Sequence, residues 1–276
     1  MKRLIIAVLI LLVFCTACAL SGINTGVVQP RSAEIHTEQK TESKNNKKSE
    51  TNTENKNKDG VEETPGILSG RVIVVDAGHG INSYNKQECI APDSSETKAA
   101  FASGTSGKIL SEEQLNLAVS LKLEAALEQL GAEVHMTRTG NKSDMTNIDR
   151  AEFANKLNAE LSVKIHADGS ENSSAHGVSV LVPSAKHVHD NAVVEKSANA
   201  GKLILEEFVK STGAYNRGIV IRNDLTGFNW TKVPIVLVEM GFMTNAEEDR
   251  LMSTEDYQNK IVSGIVNGIC RYFEQK

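Results

Sequence analysis

Residues 71–76 read Arg-Val-Ile-Val-Val-Asp, a short apolar run that lacks the alternating polar side chains of a half-exposed strand. Such a run is typical of a parallel strand that is buried on both faces of a sheet. We assign the same type of strand to residues 161–166 and 234–239. Further strand patterns occur at 133–138 and 177–183, so the sequence predicts five strands.

Stretches with helical periodicity separate these strands. They cover residues 112–130, 147–158, 190–211 and 254–274. Strands that alternate with helices predict an α/β fold, in which helices cover both faces of a mostly parallel, twisted sheet. We found no internal repeat, so we expect residues 66–276 to form a single domain.

The N-terminus has a different character. Met1-Lys2-Arg3 precedes eleven apolar residues, which is the pattern of a secretory signal and is too short to span a bilayer comfortably. Thr16-Ala17-Cys18 resembles a bacterial lipobox, in which Cys18 would carry lipid and become the new N-terminus. We therefore predict that residues 1–18 are a signal peptide and that lipid anchors the protein to the outer face of the cell membrane. A cleaved signal peptide without lipid and an uncleaved anchor are alternatives, and all three place the protein outside the cytoplasm.

Residues 19–65 are dominated by small polar and charged side chains, which cannot bury enough apolar surface to offset the entropy of ordering. We predict a disordered polar tether. From residue 66 onward the chain carries 21 basic and 27 acidic residues, so the positive charge expected of a nucleic-acid binder is missing. Four Cys are too few for a disulfide scaffold. We expect a monomer with no nucleic-acid partner.

Polar side chains end three of the predicted strands, which is where open α/β sheets gather their ligand sites. His79 lies in Asp-Ala-Gly-His-Gly after the first strand, His166 ends the strand at 161–166, and Glu239 ends the last strand. Two imidazoles and a carboxylate at one sheet edge suit a zinc site. A buried Glu is costly unless it has a partner or a task. Spacing alone leaves open the alternative that each residue is only a hydrogen-bonded part of the structure.

A third metal ligand is predicted from helix geometry. Ser111 and Gln114 have the spacing of a capping box, which places the start of a helix at residue 112. In steps of about 100° per residue, Glu112 falls on the apolar face of that helix and Glu113 falls on the polar face. Glu112 is therefore the better ligand candidate. The alternative is that its carboxylate only interacts with the helix dipole.

Other candidate residues carry weaker signals. The pair His187-x-His189 has metal-like spacing, but its position just before a predicted helix indicates exposed surface. Cys89 lies in a polar loop and Cys270 lies on the apolar face of the last helix, so neither thiol is a candidate nucleophile. The sequence contains no Gly-x-Ser-x-Gly elbow and no phosphate-binding loop.

A series of ordered landmarks resembles the zinc-dependent N-acetylmuramoyl-L-alanine amidases of the type 3 family, which act on bacterial peptidoglycan. The resemblance covers residues 70–273, and so many landmarks in order make a chance match very unlikely. The landmarks are Val-Val-Asp-Ala-Gly-His-Gly at 74–80, Glu-x-x-x-Asn-Leu at 112–117, Gly-Ala-Glu-Val at 131–134, Thr-Arg at 137–138, Arg-Ala-x-x-Ala-Asn at 150–155, Ser-Val-Lys-Ile-His-Ala-Asp at 162–168 and Val-Pro-Ile-Val-Leu-Val-Glu-Met-Gly-Phe-Met-Thr-Asn at 233–245.

The resemblance implies a role for each site residue. His79, Glu112 and His166 would bind one zinc ion, and Glu239 would be the catalytic acid. Apart from the resemblance, we expect Asp76 to orient His79 from behind the metal, with capping of the turn as the alternative. The substrate would be peptidoglycan, cleaved between the lactyl group of N-acetylmuramic acid and the L-Ala of the stem peptide.

Two stretches bear on substrate binding. Residues 81–110 are longer and more polar than the corresponding segment of typical family members, and they are predicted to be a substrate loop or a lid. The segment from Arg222 and Asn223 to Trp230 precedes the last strand and is a candidate wall of the substrate groove. Trp230 could equally be a packing residue.

Two other functions remain open from the sequence. One is a zinc endopeptidase that acts on the stem peptide of the same polymer. The other is a catalytically inactive cell-wall-binding lipoprotein, which the intact set of His79, Glu112, His166 and Glu239 argues against.

Overall fold

A central six-stranded sheet organises the computed structural model, which describes residues 66–275. The predicted signal peptide, the lipidated Cys18 and the polar tether lie outside the described residues. The strands are β1 (Val72–Ala77), β2 (Gln87–Cys89), β3 (Thr97–Ala99), β4 (Glu133–Met136), β5 (Leu161–Asp168), β6 (Val178–Pro183), β7 (Asn216–Arg222) and β8 (Ile235–Phe242).

The strand order of the large sheet is β4-β1-β5-β8-β6-β7, and only the β6–β8 pair is antiparallel. The prediction of a mostly parallel sheet is therefore confirmed. β2 and β3 form a separate antiparallel hairpin within the long polar stretch. The helices are α1 (Glu112–Gln129), α2 (Asn147–Lys156), α3 (Asn191–Thr212), α4 (Thr226–Asn229), α5 (Ala246–Met252) and α6 (Glu255–Glu274).

Helices cover both faces of the sheet, as predicted. On one face, α1, α3 and α6 pack apolar side chains such as Leu123, Phe208 and Ile265 into one large core with the inward residues of the strands. On the other face, α2 packs Ala154 beneath Val74 of β1. The short helix α4 also lies on this face, in a small cluster with residues of β6 and β8. Within residues 66–275 no helix has both the length and the apolar character needed to cross a bilayer.

Five elements were not predicted from the sequence, and each has a local reason. β2 and β3 have only three residues each, and α4 has only four. β7 is the edge strand of the sheet, and most of its residues are exposed, so it lacks a buried apolar run. Helix α5 was also not predicted. It is a separate short helix before the last predicted helix, and Asn245 caps its start by accepting hydrogen bonds from the backbone of Glu247 and Glu248.

Candidate metal centre

The carboxyl ends of β1 and β5 and the first residue of α1 meet at one edge of the sheet. They bring together His79, Glu112 and His166, whose candidate ligand atoms lie within 4.8 Å of one another. Glu112 Oε1 is 3.1 Å from His79 Nε2 and 3.1 Å from His166 Nδ1. Two imidazole nitrogens and a carboxylate oxygen are a donor set that zinc accepts. Within residues 66–275, no other group of three such side chains is arranged to hold a metal.

The backbone and one hydrogen bond orient the His79 ring. His79 has φ of 59°, in the left-handed region that side-chain-bearing residues rarely adopt. Its Nδ1 lies 2.8 Å from the carbonyl oxygen of Ala102 and donates to it. This contact places a ring proton on Nδ1 and turns the other ring nitrogen, Nε2, toward Glu112.

Glu112 is buried, and both of its carboxylate oxygens are held. Oε2 accepts a hydrogen bond of 2.8 Å from the backbone N–H of Thr105, and Oε1 accepts one from Asn116 Nδ2. Burial alone would raise the pKa of Glu112, but the hydrogen bonds from His166 and His79 outweigh it and hold the pKa well below its usual range. The carboxylate is therefore charged at neutral pH, as a metal ligand must be.

Two buried arginines hold the loop that carries His79. Arg138 donates to the carbonyl oxygens of Ala77 and Gly78, each at 2.8 Å. Arg150 donates to the carbonyl oxygen of His79 at 2.6 Å and also pairs with Asp76. Both arginines belong to sequence landmarks, but their role was not predicted, because it depends on contacts between residues about 60 to 75 positions apart.

The interpretation that Asp76 orients the His79 ring is wrong. The carboxylate of Asp76 is occupied by Thr137, Arg150 and Lys164, while His79 Nδ1 turns to a backbone carbonyl. Burial opposes ionisation of Asp76, yet the charges of Arg150 and Lys164 hold its pKa well below the usual range. Asp76 acts on the loop indirectly, by fixing Arg150, because two buried cations need a buried counter-charge.

Glu239 lies on β8 directly beside His166 of β5 in the sheet register. Its Oε2 is buried and has no hydrogen-bond partner among the described residues. Burial and the nearby carboxylates of Asp168 and Glu112 raise the pKa of Glu239 well above its usual range. A carboxyl group with a raised pKa and a free oxygen can accept and return a proton, which is the requirement for a general acid–base.

Gly78 is packed against the ring of His166. A Cβ atom at this position would lie 2.3 Å from His166 Nε2 and 2.4 Å from Cε1, too close for the ring to stay in place.

We expect Gly78→Ala to weaken zinc affinity by roughly 10- to 100-fold, as changes behind a metal ligand commonly do. Chelator competition on the purified full-length protein measures this affinity. Gly140→Ala is the control, because a Cβ there meets nothing within 4 Å. Equal affinities of the two variants would contradict the prediction.

The long polar stretch is docked against the body of the protein through the β2–β3 hairpin. Glu88 of β2 is buried and accepts hydrogen bonds from Asn147 Nδ2 and from the backbone N–H of Ile148, at the start of α2. Trp230 donates from Nε1 to the carbonyl oxygen of Cys89 at 3.1 Å. The hairpin therefore forms a wall beside the metal centre, and Trp230 is bonded to it, while a role of Trp230 in the substrate groove stays a prediction.

The other two residues of the predicted groove wall also bond within the protein. Arg222 makes two hydrogen bonds of 2.7 Å to Asp224, and the carbonyl oxygen of Asn223 accepts from Asn229. The cavity beside the two histidines is lined by a later part of this segment, including Leu225 and Phe228.

The histidine pair before α3 does not form a metal site. His187 Nδ1 is bonded to Asp93 at 2.8 Å, and only 9% of its side chain is exposed, so the prediction of exposed surface is wrong for His187. It is correct for His189, whose side chain is 73% exposed. Cys270 packs against the large core, and Cys89 lies in the docked hairpin.

The fold and the centre define a class of protein. A model of the family Amidase_3, described as N-acetylmuramoyl-L-alanine amidase, matches residues 73–271, and the chain belongs to this family. The crystal structure of the N-acetylmuramyl-L-alanine amidase Ami1 from Mycobacterium smegmatis superposes with a TM-score of 0.70. That protein is 28% identical, and the match covers 76% of this chain and 99% of Ami1.

Two sequence relatives carry names of the same kind. The N-acetylmuramoyl-L-alanine amidase AmiA of Salmonella typhimurium is 29% identical over 244 residues, which are 74% of this chain and 77% of AmiA. The germination-specific N-acetylmuramoyl-L-alanine amidase of Bacillus subtilis is 27% identical over 224 residues, which are 76% of this chain and 82% of that protein.

Proposed function

We propose that the protein is a zinc-dependent hydrolase that cleaves the amide between the lactyl group of N-acetylmuramic acid and the L-Ala of the stem peptide in peptidoglycan. Family membership supports the substrate and the bond. The observation that carries the mechanism is the grouping of His79, Glu112 and His166 beside Glu239, a buried carboxyl with an unpartnered oxygen.

The residues divide the work according to their surroundings. His79, Glu112 and His166 would hold one zinc ion, which when bound polarises a carbonyl group and lowers the pKa of water from 15.7 to about 7. Glu239 would take a proton from the attacking water and return it to the departing amine of L-Ala. Arg138 and Arg150 would keep the His79 loop in place during the reaction.

Product analysis tests this proposal against its two rivals. Purified peptidoglycan is digested with the full-length protein, and newly exposed amino groups are labelled and identified. We expect N-terminal L-Ala as the new end group. New N-termini within the stem peptide would favour the endopeptidase, and binding to the polymer without any new end group would favour an inactive wall-binding protein.

We also propose that lipid on Cys18 anchors the protein to the outer face of the membrane, since Thr16-Ala17-Cys18 resembles a lipobox. The named amidase relatives are consistent with a site of action outside the cytoplasm.

Cys18→Ala is expected to shift the protein from the membrane fraction to the soluble fraction or to leave it misprocessed. Mass spectrometry of the mature N-terminus measures this directly. A mature protein that begins well after residue 18 and carries no lipid would disprove the anchor.

A further inference from the structure

A cavity of about 340 Å³ opens beside the metal centre, on the side of the histidines that faces the hairpin and α4. Both His79 and His166 line it, and most of the remaining wall is apolar, with Leu225, Phe228 and Leu237 among its residues. Its volume is at the lower end of the range for small-molecule sites. This cavity is therefore one of the spaces that border the metal centre and are open to the substituents of a group bound there.

Two cationic side chains line the cavity, and they differ in their partners. The ammonium group of Lys164 is paired with the buried carboxylate of Asp76. The ammonium group of Lys98 donates at 2.9 Å to a neutral acceptor, the carbonyl oxygen of Asp224. Within residues 66–275 Lys98 forms no ion pair, so two of its three N–H donors remain available.

The hairpin holds Lys98 in place without neutralising it. Lys98 on β3 is directly opposite Glu88 on β2, where an ion pair would be expected. The carboxylate of Glu88 is instead bonded to Asn147 and to the backbone of Ile148. Partial burial lowers the pKa of Lys98, although the carboxylates of Glu88 and Asp224 act at longer range to raise it.

The chemistry of the substrate provides an anion close to the reacting bond. Around the bond between N-acetylmuramic acid and L-Ala, the glycan side consists of uncharged sugars. The stem side continues through L-Ala to a second residue, D-glutamate, which is linked through its side chain. Its α-carboxyl group is either free and negative or amidated and neutral.

We propose that this cavity receives the stem peptide and that Lys98 binds the free α-carboxylate of its second residue. This inference rests on the proposed amidase function and adds a specificity to it. The apolar wall would pack against the L-Ala methyl group and the glutamyl methylenes, while the ammonium group would select the charged form of the second residue over the amidated form.

The test uses two soluble muropeptides that differ only in carrying an α-carboxylate or an α-carboxamide on the second stem residue. For the full-length protein we expect kcat/KM to be about tenfold higher for the carboxylate, the lower end of what a hydrogen bond to a charged group contributes at a half-buried site. Lys98→Gln should reduce this preference to about one, mainly through a higher KM for the carboxylate substrate. Lys98→Arg, which keeps the charge, should retain a preference.

The matched control is Lys142→Gln, because Lys142 is an exposed lysine that lines a cavity elsewhere on the surface. This variant should keep the tenfold preference, and loss of the preference there would overturn the assignment to Lys98. Equal cleavage of both substrates by the unaltered protein would overturn the inference and leave the amidase function standing. An equal loss on both substrates in Lys98→Gln would give Lys98 a merely structural role and would also overturn it. Cleavage of neither substrate would instead refute the proposed function itself.

Discussion

Glu239→Gln is expected to lower kcat for peptidoglycan cleavage by about 10²–10⁴-fold, with the fold and the zinc content unchanged. Glutamine has nearly the shape of glutamate but cannot take a proton from water. Because Glu239 Oε2 has no hydrogen-bond partner among the described residues, the substitution breaks no contact of that oxygen. The measurements are steady-state hydrolysis, zinc per protein molecule, and thermal unfolding followed by circular dichroism.

The surroundings of Glu239 explain why the effect should appear in kcat. Burial and the carboxylates of Asp168 and Glu112 raise the pKa of Glu239, which brings it closer to the neutral pH at which a general base works best. Two results would contradict the assignment. Near-normal turnover by Glu239→Gln would remove this residue from the chemistry, and loss of zinc would make it a ligand instead of a base.

Glu112→Ala is expected to reduce zinc affinity by more than about 100-fold, since it removes a ligand and not merely a residue behind one. Its two histidine neighbours would lose the carboxylate that both of them contact at 3.1 Å. Activity should fall through loss of metal, so excess zinc should restore part of it. His166→Ala is expected to lose both metal and activity in the same way. Chelator competition and assays over a range of zinc concentrations measure these effects.

Glu113→Ala is the matched control for Glu112→Ala, because the two residues are adjacent on α1. The Glu113 carboxylate bonds to Ser111, and only its backbone carbonyl oxygen supports the His79 loop, through Arg138. Zinc affinity and activity should therefore stay close to those of the unaltered protein. An essential Glu113 together with a dispensable Glu112 would reverse the ligand assignment that both the helix projection and the structure favour.

The sequence predicted best the elements whose character is local. β1, β5 and β8 were identified because strands buried on both faces are apolar along their length. Glu112 was preferred over Glu113 because the helical period places it on the apolar face, and the structure finds it buried with the two histidines. The edge strand β7 was missed because exposed residues leave no periodic signal.

What the sequence determined by itself is the α/β class, the sheet edge at which the site forms, and the identity of its metal-ligating candidates, because strand burial and helix phase are encoded over short stretches. Only the tertiary structure decided what supports those residues. It paired Asp76 with Arg150 and Lys164 instead of with His79, and, within residues 66–275, it left Lys98 without an ion pair opposite Glu88. Buried charges pair with whichever partners the packed chain brings within hydrogen-bond distance, and those partners are far apart along the sequence.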